Sequence, residues 1–290
     1  MQTQDVLARR FEAHRSQLRG LAYRMLGSAA EADDVVQETW LRLARQHEEP
    51  ANLIGWLTTV ASRICLDLLR SRAARREDPL ELLGELGDTA YDAEPEHEAM
   101  LIDSVGRALL VVMDRLGPDE RVVFVLHDLF AVPFEQIGPI VGRTPATAKK
   151  LASRARQRTR GESNSTTTEL AEQRRVVEAF LAAARGGDLT ELLAVLAPDV
   201  MRIADPAALP PGLAAVVRGA QAVAKETVLL QRRSQVAALA LVDGAVGIVV
   251  APHGGLLLAL TVTVRDNTVV SYEVIADRHR LRELTIAALP

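Results

Sequence analysis

Basic side chains are clustered in residues 134–160, FEQIGPIVGRTPATAKKLASRARQRTR. No Asp or Glu occurs between residues 136 and 161. The cations of its second half are Lys149, Lys150, Arg154, Arg156, Arg158 and Arg160. Guanidinium and ammonium groups at this density bind the phosphates of a polyanion and release its counterions. The run therefore predicts a nucleic-acid surface, and the alternative is a solvated basic helix on an ordinary helical protein.

One helix is expected to position these cations. Thr144 is a suitable N-cap, and Pro145 fits the first helical position. Small apolar residues at three- and four-residue spacing predict a stripe that packs on one neighbour, and they are Ala148, Leu151, Ala152 and Ala155. The cations lie on the remaining arc of the same helix.

A short apolar element at residues 134–141 precedes this helix across Gly142 and Arg143. A helix, a tight glycine turn and a basic second helix form a helix-turn-helix, which presents its second helix to the major groove of DNA. Gly138 and Pro139 fall inside the first helix, where glycine costs about 1 kcal/mol and proline about 3 kcal/mol. We therefore expect that helix to be short, kinked or partly irregular.

The composition is that of a folded chain. At 290 residues it should hold two or three domains, and 48% hydrophobic with 25% charged residues argues against wholesale disorder. The net charge of −4 would argue against a nucleic-acid binder if the cations were not clustered.

Cys65 is the one cysteine, so a disulfide framework or a cysteine-based metal cluster within one chain is excluded. A buried structural thiol is the expected role, and we predict no metal and no cofactor. No apolar run is long enough to span a membrane, and the polar start is unlike a secretory signal. The expected location is the cytoplasm.

Residues 28–45 predict a helix with Ser28 as its cap and acids in its first turns, where they suit the helix dipole. Val36, Trp40 and Leu43 form its predicted buried stripe. The remaining face is mostly acidic and comprises Asp33, Asp34, Gln37, Glu38 and Arg42. The sequence alone does not distinguish a partner-binding surface from a solvated helix face.

Residues 52–72 predict another helix, capped by Asn52. Its expected core positions are Leu53, Leu57, Val60, Ile64 and Leu68. Trp56, Thr59, Arg63 and Arg70 follow a different line, and Arg72, Arg75 and Arg76 extend the basic character. An aromatic beside arginines can stack an unpaired base while cations hold the phosphates. For Trp56 by itself, however, the favoured interpretation is a core residue near a helix start.

The next segment, residues 77–98, contains nine acids and no Lys or Arg, and its Pro and Gly residues predict a flexible linker. Residues 99–114 and 118–130 predict two amphipathic helices. His127 is expected to be a satisfied core or surface histidine.

The order of these segments resembles the extracytoplasmic-function (ECF) sigma factors, the promoter-specificity subunits of bacterial RNA polymerase. The resemblance rests on DDVVQETWLRLAR, WLTTVASRICLDLLRSR, the acidic connector and the helix-turn-helix, and it covers about residues 5–160. It implies that residues 5–76 bind core polymerase and the minus-ten element. It also implies that residues 99–160 bind the minus-thirty-five element.

The resemblance assigns residues to three surfaces. Core polymerase would be bound by Asp33, Asp34, Gln37, Glu38 and Arg42. The minus-ten DNA would be bound by Asn52, Trp56, Thr59, Arg63, Arg70 and Arg72. The minus-thirty-five DNA would be bound by Thr147, Lys149, Lys150, Ser153, Arg154, Arg156 and Arg158. The linker at residues 77–98 would thread the RNA-exit channel, or shield basic residues in the free protein.

A different kind of domain follows the polar linker at residues 161–168. Helices are predicted at residues 169–185, 188–196 and 220–233, with Pro198 ending the second. Four antiparallel strands are predicted at residues 235–242, 245–251, 256–265 and 268–276, joined by turns at Asp243-Gly244 and Asp266-Asn267. Residues 169–290 therefore predict an α+β domain.

This domain resembles the SnoaL-like (NTF2-like) cone fold. Enzymes of that fold use Asp or His inside the cone, and the candidates here would be Asp205, His253, Tyr272 and Asp277. They form no spaced catalytic set, so we predict no enzyme activity.

Some ECF sigma factors, including the mycobacterial sigma-J type, carry this domain as a built-in regulator. Their Gly-rich loop would fall at residues 204–212, which read ADPAALPPG, and their Asn-Pro-Asp-Lys-Leu tail near ADRHRL. Both segments depart from the expected pattern.

The sequence thus predicts two all-α sigma domains followed by an α+β cone domain. The predicted function is promoter-specific initiation with core RNA polymerase and promoter DNA as partners and no membrane. The C-terminal domain would bind a small ligand or make an intramolecular contact. The alternative function is a stand-alone helix-turn-helix regulator that responds to a ligand.

Overall fold

A computed structural model of the chain describes residues 2–46, 48, 50–75, 104–160, 166–210, 212–251 and 255–289. The acidic connector at residues 77–98, residues 161–165 of the polar linker, and His253 lie outside this description. The chain divides into two compact units. The first comprises Met1–Asp78 and Met113–Gln157, and the second comprises Pro79–Val112 and Arg158–Pro290.

The first unit is helical and starts with a three-helix arrangement. Helix α1 spans Gln2–Leu26, α2 spans Ala29–Ala44 and α3 spans Leu53–Arg75. The Ser28 hydroxyl accepts the Glu31 N–H and caps α2, as its sequence predicts. The core buries apolar residues from all three helices, among them Leu18, Met25, Val36, Leu43 and Leu57.

Helix α3 buries a different line of residues from the one its sequence predicts. Leu53 and Leu57 are buried, but Leu68 is exposed, and Val60 and Ile64 are only half-buried. The buried line instead continues through Ala61, Cys65, Leu66 and Leu69. Helical periodicity favoured the line of bulkier residues as the predicted core. In the structure the buried line contains smaller residues, because they allow α3 to pack closely against α1 and α2.

Helix α4 spans Ser104–Asp114, within the segment predicted at residues 99–114. Helix α5 spans Pro118–Phe124 and continues through a π-helical turn, Val125–Leu129. Helix α6 spans Phe134–Val141, and α7 spans Pro145–Thr159. Gly142 joins the last two with a φ of 68°, the left-handed conformation that favours glycine at a helix end.

The helix-turn-helix explains why glycine precedes Pro139. A Cβ at Gly138 would lie 2.8 Å from the Arg143 carbonyl oxygen and 3.2 Å from the Pro145 nitrogen. Both are backbone atoms of the turn that leads into α7, so a side chain here would push that turn away. Helix α6 is short, as expected, and it continues through Pro139 to Val141.

The second unit contains a seven-stranded sheet. Its helices are α8 (Thr167–Gly186), α9 (Leu189–Val195), α10 (Ala220–Leu229), α11 (Gln231–Gln235) and α12 (Arg278–Glu283). Its strands are β1 (Leu196–Ala204), β2 (Val216–Arg218), β3 (Ala237–Val242), β4 (Ala245–Val250), β5 (Leu258–Arg265), β6 (Thr268–Ile275) and β7 (Ile286–Ala287). The strand order is β2-β1-β6-β5-β4-β3-β7.

Strands β3 to β6 form the predicted antiparallel meander. Positive φ at both central residues identifies the turns at Asp243-Gly244 and Asp266-Asn267 as type I′. The meander is only part of the sheet, however, because β1 pairs in parallel with β6 and the short strands β2 and β7 occupy the edges.

The helices predicted at residues 188–196 and 220–233 are present, but their ends differ from the prediction. Leu196 begins β1 instead of ending a helix, and Pro198 lies inside that strand, where the β1–β6 register shifts between Leu196 and Met201. Such an irregularity accommodates a residue without an N–H donor. The predicted helix at residues 220–233 is two helices, α10 and α11, which meet at Leu230.

Apolar residues cover both faces of this sheet. One face packs on α8, α9 and α10 through residues such as Phe180, Val223 and Val250. The other face packs on α4, which contributes Ala108, Val111 and Val112. Across the described part of the chain, no helix is both long and apolar enough to cross a membrane.

Candidate promoter and polymerase interface

The predicted recognition helix α7 is fixed by its small apolar face. Ala148, Ala152 and Ala155 are fully buried, so the helix lies close to its neighbours. The Thr144 hydroxyl accepts the Thr147 N–H at 3.2 Å and caps the helix start, as predicted. The opposite face is exposed and carries Lys149, Lys150, Ser153, Arg154 and Arg158.

Two of the residues predicted on this face are engaged within the protein. Arg156 is half-buried and donates to the Asp128 carboxylate at 2.6 Å. The Thr147 hydroxyl lies 2.9 Å from that of Thr144. Lys149, Lys150 and Arg154 would therefore meet phosphate at lower cost than Arg156, which would have to exchange one anionic partner for another.

The second predicted DNA surface lies on α3. Asn52 is exposed, and its side chain accepts the Gly55 N–H at 3.0 Å, which makes it the helix cap. Trp56 is half-buried one turn later. The Thr59 hydroxyl is half-buried and donates to the Gly55 carbonyl oxygen at 2.8 Å.

Arg63 and Arg70, further along α3, contact the helix-turn-helix. Arg63 donates to the Pro139 carbonyl oxygen at 3.3 Å, and Arg70 donates to that of Val141 at 3.3 Å. Both carbonyls belong to the C-terminal turn of α6, where the helix dipole places negative charge. Arg70 also forms an ion pair with Asp119 at 2.8 Å.

Arg72 is engaged inside the three-helix arrangement. Its guanidinium contacts the Glu31 carboxylate and donates to the Leu26 carbonyl oxygen at 3.3 Å. Both partners belong to the start of α2 and the end of α1. The predicted minus-ten residues are therefore not equivalent, because Arg72 ties α3 to its neighbours while Trp56 and Asn52 remain accessible.

The predicted polymerase-binding face of α2 is accessible and partly paired. Asp34 and Gln37 are exposed. Asp33 accepts from Arg19 of α1 at 3.0 Å, and Glu38 accepts from Arg42 at 2.8 Å. Beside this face, α1 and α2 form a groove lined by Phe11, Trp40 and Gln37 among others. The Phe11 and Trp40 ring centroids lie 5.1 Å apart.

The sequence did not indicate Asp119 and Asp128 as partners of Arg70 and Arg156, which are predicted to bind DNA. Asp119 lies in the first turn of α5 and forms ion pairs with Arg70 and Arg143. Asp128 is adjacent to His127 in sequence. The Nδ1–H of His127 donates to the Val132 carbonyl oxygen at 3.0 Å, and its ring stacks on Phe134, so this histidine is satisfied as expected.

Two buried groups of this unit have shifted pKa values. Burial, with a smaller contribution from the Glu31 charge, raises the pKa of the Cys65 thiol to about 12. Burial also lowers the pKa of the Arg121 guanidinium, and the Asp114 carboxylate at 3.3 Å opposes that effect. Cys65 is thus the buried thiol that the sequence predicts.

In the second unit, the residues considered for catalysis lie in different places. Tyr272 lines a cavity between the sheet and helices α8 and α10, whereas Asp205 and Asp277 belong to a cluster at the ends of β1 and β6. Asp205 accepts the backbone N–H groups of Ala276 and Asp277, both at 3.0 Å, and the Arg280 guanidinium at 2.6 Å. We call this cluster the Asp205 clasp.

Burial alone would raise the pKa of Asp205, but the donors of the Asp205 clasp hold it below its usual range. Arg280 also donates to Glu273 at 2.6 Å. The Asp205 clasp is therefore a structural network of ion pairs and hydrogen bonds that links the end of β1 to β6 and α12. In the described residues no group of three His, Cys, Asp or Glu side chains is placed to hold a metal ion.

Comparison with known proteins identifies both helical segments. Residues 10–75 match the family Sigma-70 region 2, and residues 106–159 match Sigma-70, region 4. The probable ECF RNA polymerase sigma factor SigI of Mycobacterium tuberculosis is 40% identical over 206 residues, which cover 69% of this chain and 70% of SigI.

A second relative extends the comparison. The ECF RNA polymerase sigma factor SigJ of Mycobacterium tuberculosis is 39% identical over 218 residues, 74% of this chain and 70% of SigJ. The crystal structure of that SigJ aligns with a TM-score of 0.41 at 31% identity, over 95% of this chain and 98% of SigJ.

Proposed function

We propose regulation in cis for this chain, which belongs to the family of extracytoplasmic-function (ECF) RNA polymerase sigma factors. As a sigma factor, it directs promoter-specific transcription initiation by RNA polymerase, and its partners are core polymerase and promoter DNA. The stand-alone regulator is therefore not favoured. Sigma factors are not a class of enzymes.

For promoter binding, we propose the surfaces that the sequence predicts. The exposed Lys149, Lys150 and Arg154 of α7 would contact the minus-thirty-five element. Trp56 and Asn52 would lie beside single-stranded minus-ten DNA, where an aromatic ring can stack an unpaired base. The acidic face of α2, with Asp34 and Gln37 exposed, would bind core polymerase.

The contacts of Arg63 and Arg70 support a closed form of the free protein. In this form, two arginines proposed to bind minus-ten DNA donate instead to carbonyl oxygens of the helix-turn-helix. DNA and the helix-turn-helix would compete for the same guanidinium groups. Binding of core polymerase would then favour the open form by contributing contacts that the closed form lacks.

The observation that supports regulation by the C-terminal domain lies within the second unit. Val111 and Val112 of α4, which belong to the region 4 match, are buried against the sheet. At the end of α7, the Thr159 carbonyl oxygen accepts the Ala288 N–H at 3.2 Å, and Arg160 forms a parallel bridge with Ala288. Both ends of region 4 are thereby attached to the C-terminal domain, which would restrain it.

An Ala288→Pro variant tests this restraint, because proline removes the N–H that bonds to Thr159. Ala288→Ser keeps that N–H and serves as the matched control. Promoter-dependent transcription with purified core polymerase should rise with Ala288→Pro by about two- to tenfold, the value of one net hydrogen bond. It should be unchanged with Ala288→Ser. Equal output from both variants would contradict the restraint, and no transcript from the unmodified chain would contradict the sigma function itself.

We also propose a small ligand as an input to the C-terminal domain. The support is a cavity of about 90 Å³ between the sheet and helices α8 and α10. A ligand bound there would stabilise the domain by mass action and so alter the restraint on region 4.

A further inference from the structure

The cavity in the C-terminal domain has apolar walls. The walls come from the sheet and from α8, α10 and the loop after β1, and they include Phe180, Leu209, Leu230, Ile248, Leu258 and Leu260. Its volume of about 90 Å³ exceeds by several-fold the roughly 10–15 Å³ that one water molecule needs. Leu209, Leu230 and Leu260 remain partly exposed, whereas Phe180, Ile248 and Leu258 of the same cavity are buried. An apolar ligand would remove this surface from water.

One end of the cavity is polar and is assembled from three elements. Arg202 of β1 has a side chain only 5% exposed, and it forms an ion pair with Glu226 of α10. Its guanidinium also donates to the Ala214 carbonyl oxygen at 2.8 Å. The neighbouring Thr227 and Tyr272 hydroxyls lie 3.3 Å apart. A buried ion pair contributes little net stability, because removing both charges from water is costly. These groups therefore indicate that this end of the cavity is organised to contact a polar group of a ligand.

The hydrogen bonds at this end determine what a ligand must offer. Thr227 donates its proton to the Val223 carbonyl oxygen at 2.9 Å, so Tyr272 must be the donor to Thr227. Among the described residues, nothing donates to the Tyr272 oxygen, whose lone pairs remain for a ligand. Beside Tyr272, Arg202 is already neutralised by Glu226, so a ligand carboxylate here would meet the Glu226 charge. Arg233, the other cation in the cavity lining, donates to the Ala208 carbonyl oxygen. A neutral hydrogen-bond donor avoids this repulsion.

We propose that the cavity binds a small, uncharged ring compound that donates one hydrogen bond to the Tyr272 hydroxyl oxygen. The rings of Phe180 and Tyr272, whose centroids lie 5.3 Å apart, provide tilted aromatic surfaces for such a ring. This inference deepens the proposed function, since it names the ligand class of the same domain. It is tested without transcription, so its failure is distinguishable from failure of the cis restraint.

Isothermal titration calorimetry on the full chain with three probes tests the proposal. Phenol offers the donor, toluene has nearly the same shape without it, and benzoate adds a charge. We expect one phenol per chain, about three- to tenfold weaker binding of toluene, and at least tenfold weaker binding of benzoate. Tighter benzoate binding would overturn the ligand class, and absence of binding by all three probes would overturn the site.

Variants locate the binding. Tyr272→Phe should abolish the preference for phenol over toluene, and a retained preference would overturn the role of Tyr272. Ala184→Leu fills the cavity and should abolish binding, whereas Leu229→Ala, at a residue 74% exposed outside the cavity, should leave it unchanged. If thermal denaturation shows that Ala184→Leu does not fold, Leu260→Phe replaces it, and undiminished binding by a folded filling variant would overturn the location.

Discussion

Arg70 of α3 donates through Nε and Nη2 to one oxygen of Asp119, at 3.1 and 2.8 Å. The other Asp119 oxygen lies 3.6 Å from Arg143, in the turn of the helix-turn-helix. One carboxylate therefore neutralises cations on the two segments of the first unit that we propose to bind the two promoter elements. This arrangement would couple the two proposed promoter-binding surfaces in the free protein.

Asp119→Asn should strengthen promoter binding because it releases Arg70 and Arg143. The pair is partly exposed, so we expect a change of about two- to fivefold in the dissociation constant of the complex with core polymerase and a fork-junction promoter. Fluorescence anisotropy measures this constant. Glu178→Gln, an equal charge change at an exposed position of α8, is the control. Weaker binding by Asp119→Asn than by the control would show that the carboxylate does not oppose DNA binding.

Arg154→Ala should reduce the dependence of duplex binding on salt. A phosphate contact contributes about 0.9 to the slope of log K against log salt concentration. Arg156→Ala is the matched comparison, since Arg156 pairs with Asp128 and should change the slope by less than half as much. Titrations at four or more salt concentrations provide both slopes. A larger change for Arg156→Ala than for Arg154→Ala would reverse our assignment of the phosphate contact.

Gly138→Ala should destabilise the helix-turn-helix, because its Cβ would collide with the Arg143 carbonyl oxygen at 2.8 Å. Overpacking of this kind costs about 1–3 kcal/mol. The free energy of unfolding from urea denaturation measures the loss, and binding to a minus-thirty-five duplex should weaken in parallel. Gly186→Ala, which meets no atom within 4 Å, should not destabilise the chain. A stable Gly138→Ala variant with normal duplex binding would mean that the turn does not require glycine.

The Cys65 thiol should not react with a thiol reagent at pH 8 in the folded protein, because burial raises its pKa to about 12. In denaturant, one thiol per chain should react. The raised pKa contributes stability that is fully present below the unfolded value of 9.0 and is lost as the pH rises toward 12. Cys65→Ser should make unfolding less dependent on pH over that interval. Rapid labelling under native conditions would contradict the burial.

The sequence predicted much of the fold because its strongest signals are local. Caps at Ser28 and Thr144, the Gly142 turn and the two type I′ turns each depend on a few adjacent residues, and all are present. Strand β1 was missed because its pairing with β6 is non-local and its Pro198 looks like a helix stop. Helix caps and tight turns depend on residues that are adjacent in sequence, whereas parallel strand pairing depends on contacts with distant parts of the chain.

Prediction of the functional surfaces was limited for a related reason. The exposed arc of α7 follows from its helical periodicity and charge. The partners of Arg63, Arg70 and Arg156 do not, because they lie 76, 49 and 28 residues away along the chain. Their acids and carbonyl oxygens become partners only through tertiary packing.

The Asp205 clasp has a consequence for how this domain can diverge. Asp205 recognises Ala276 and Asp277 through their backbone N–H groups, which every residue except proline provides. Substitution of Ala276 by any residue except proline therefore leaves these contacts in place, whereas the Asp277 side chain has a second role, since it accepts the Arg280 N–H and caps α12. The junction between the loop ADPAALPPG and the tail ADRHRL thus depends on backbone N–H groups and on Arg280 more than on the other side chains of these segments.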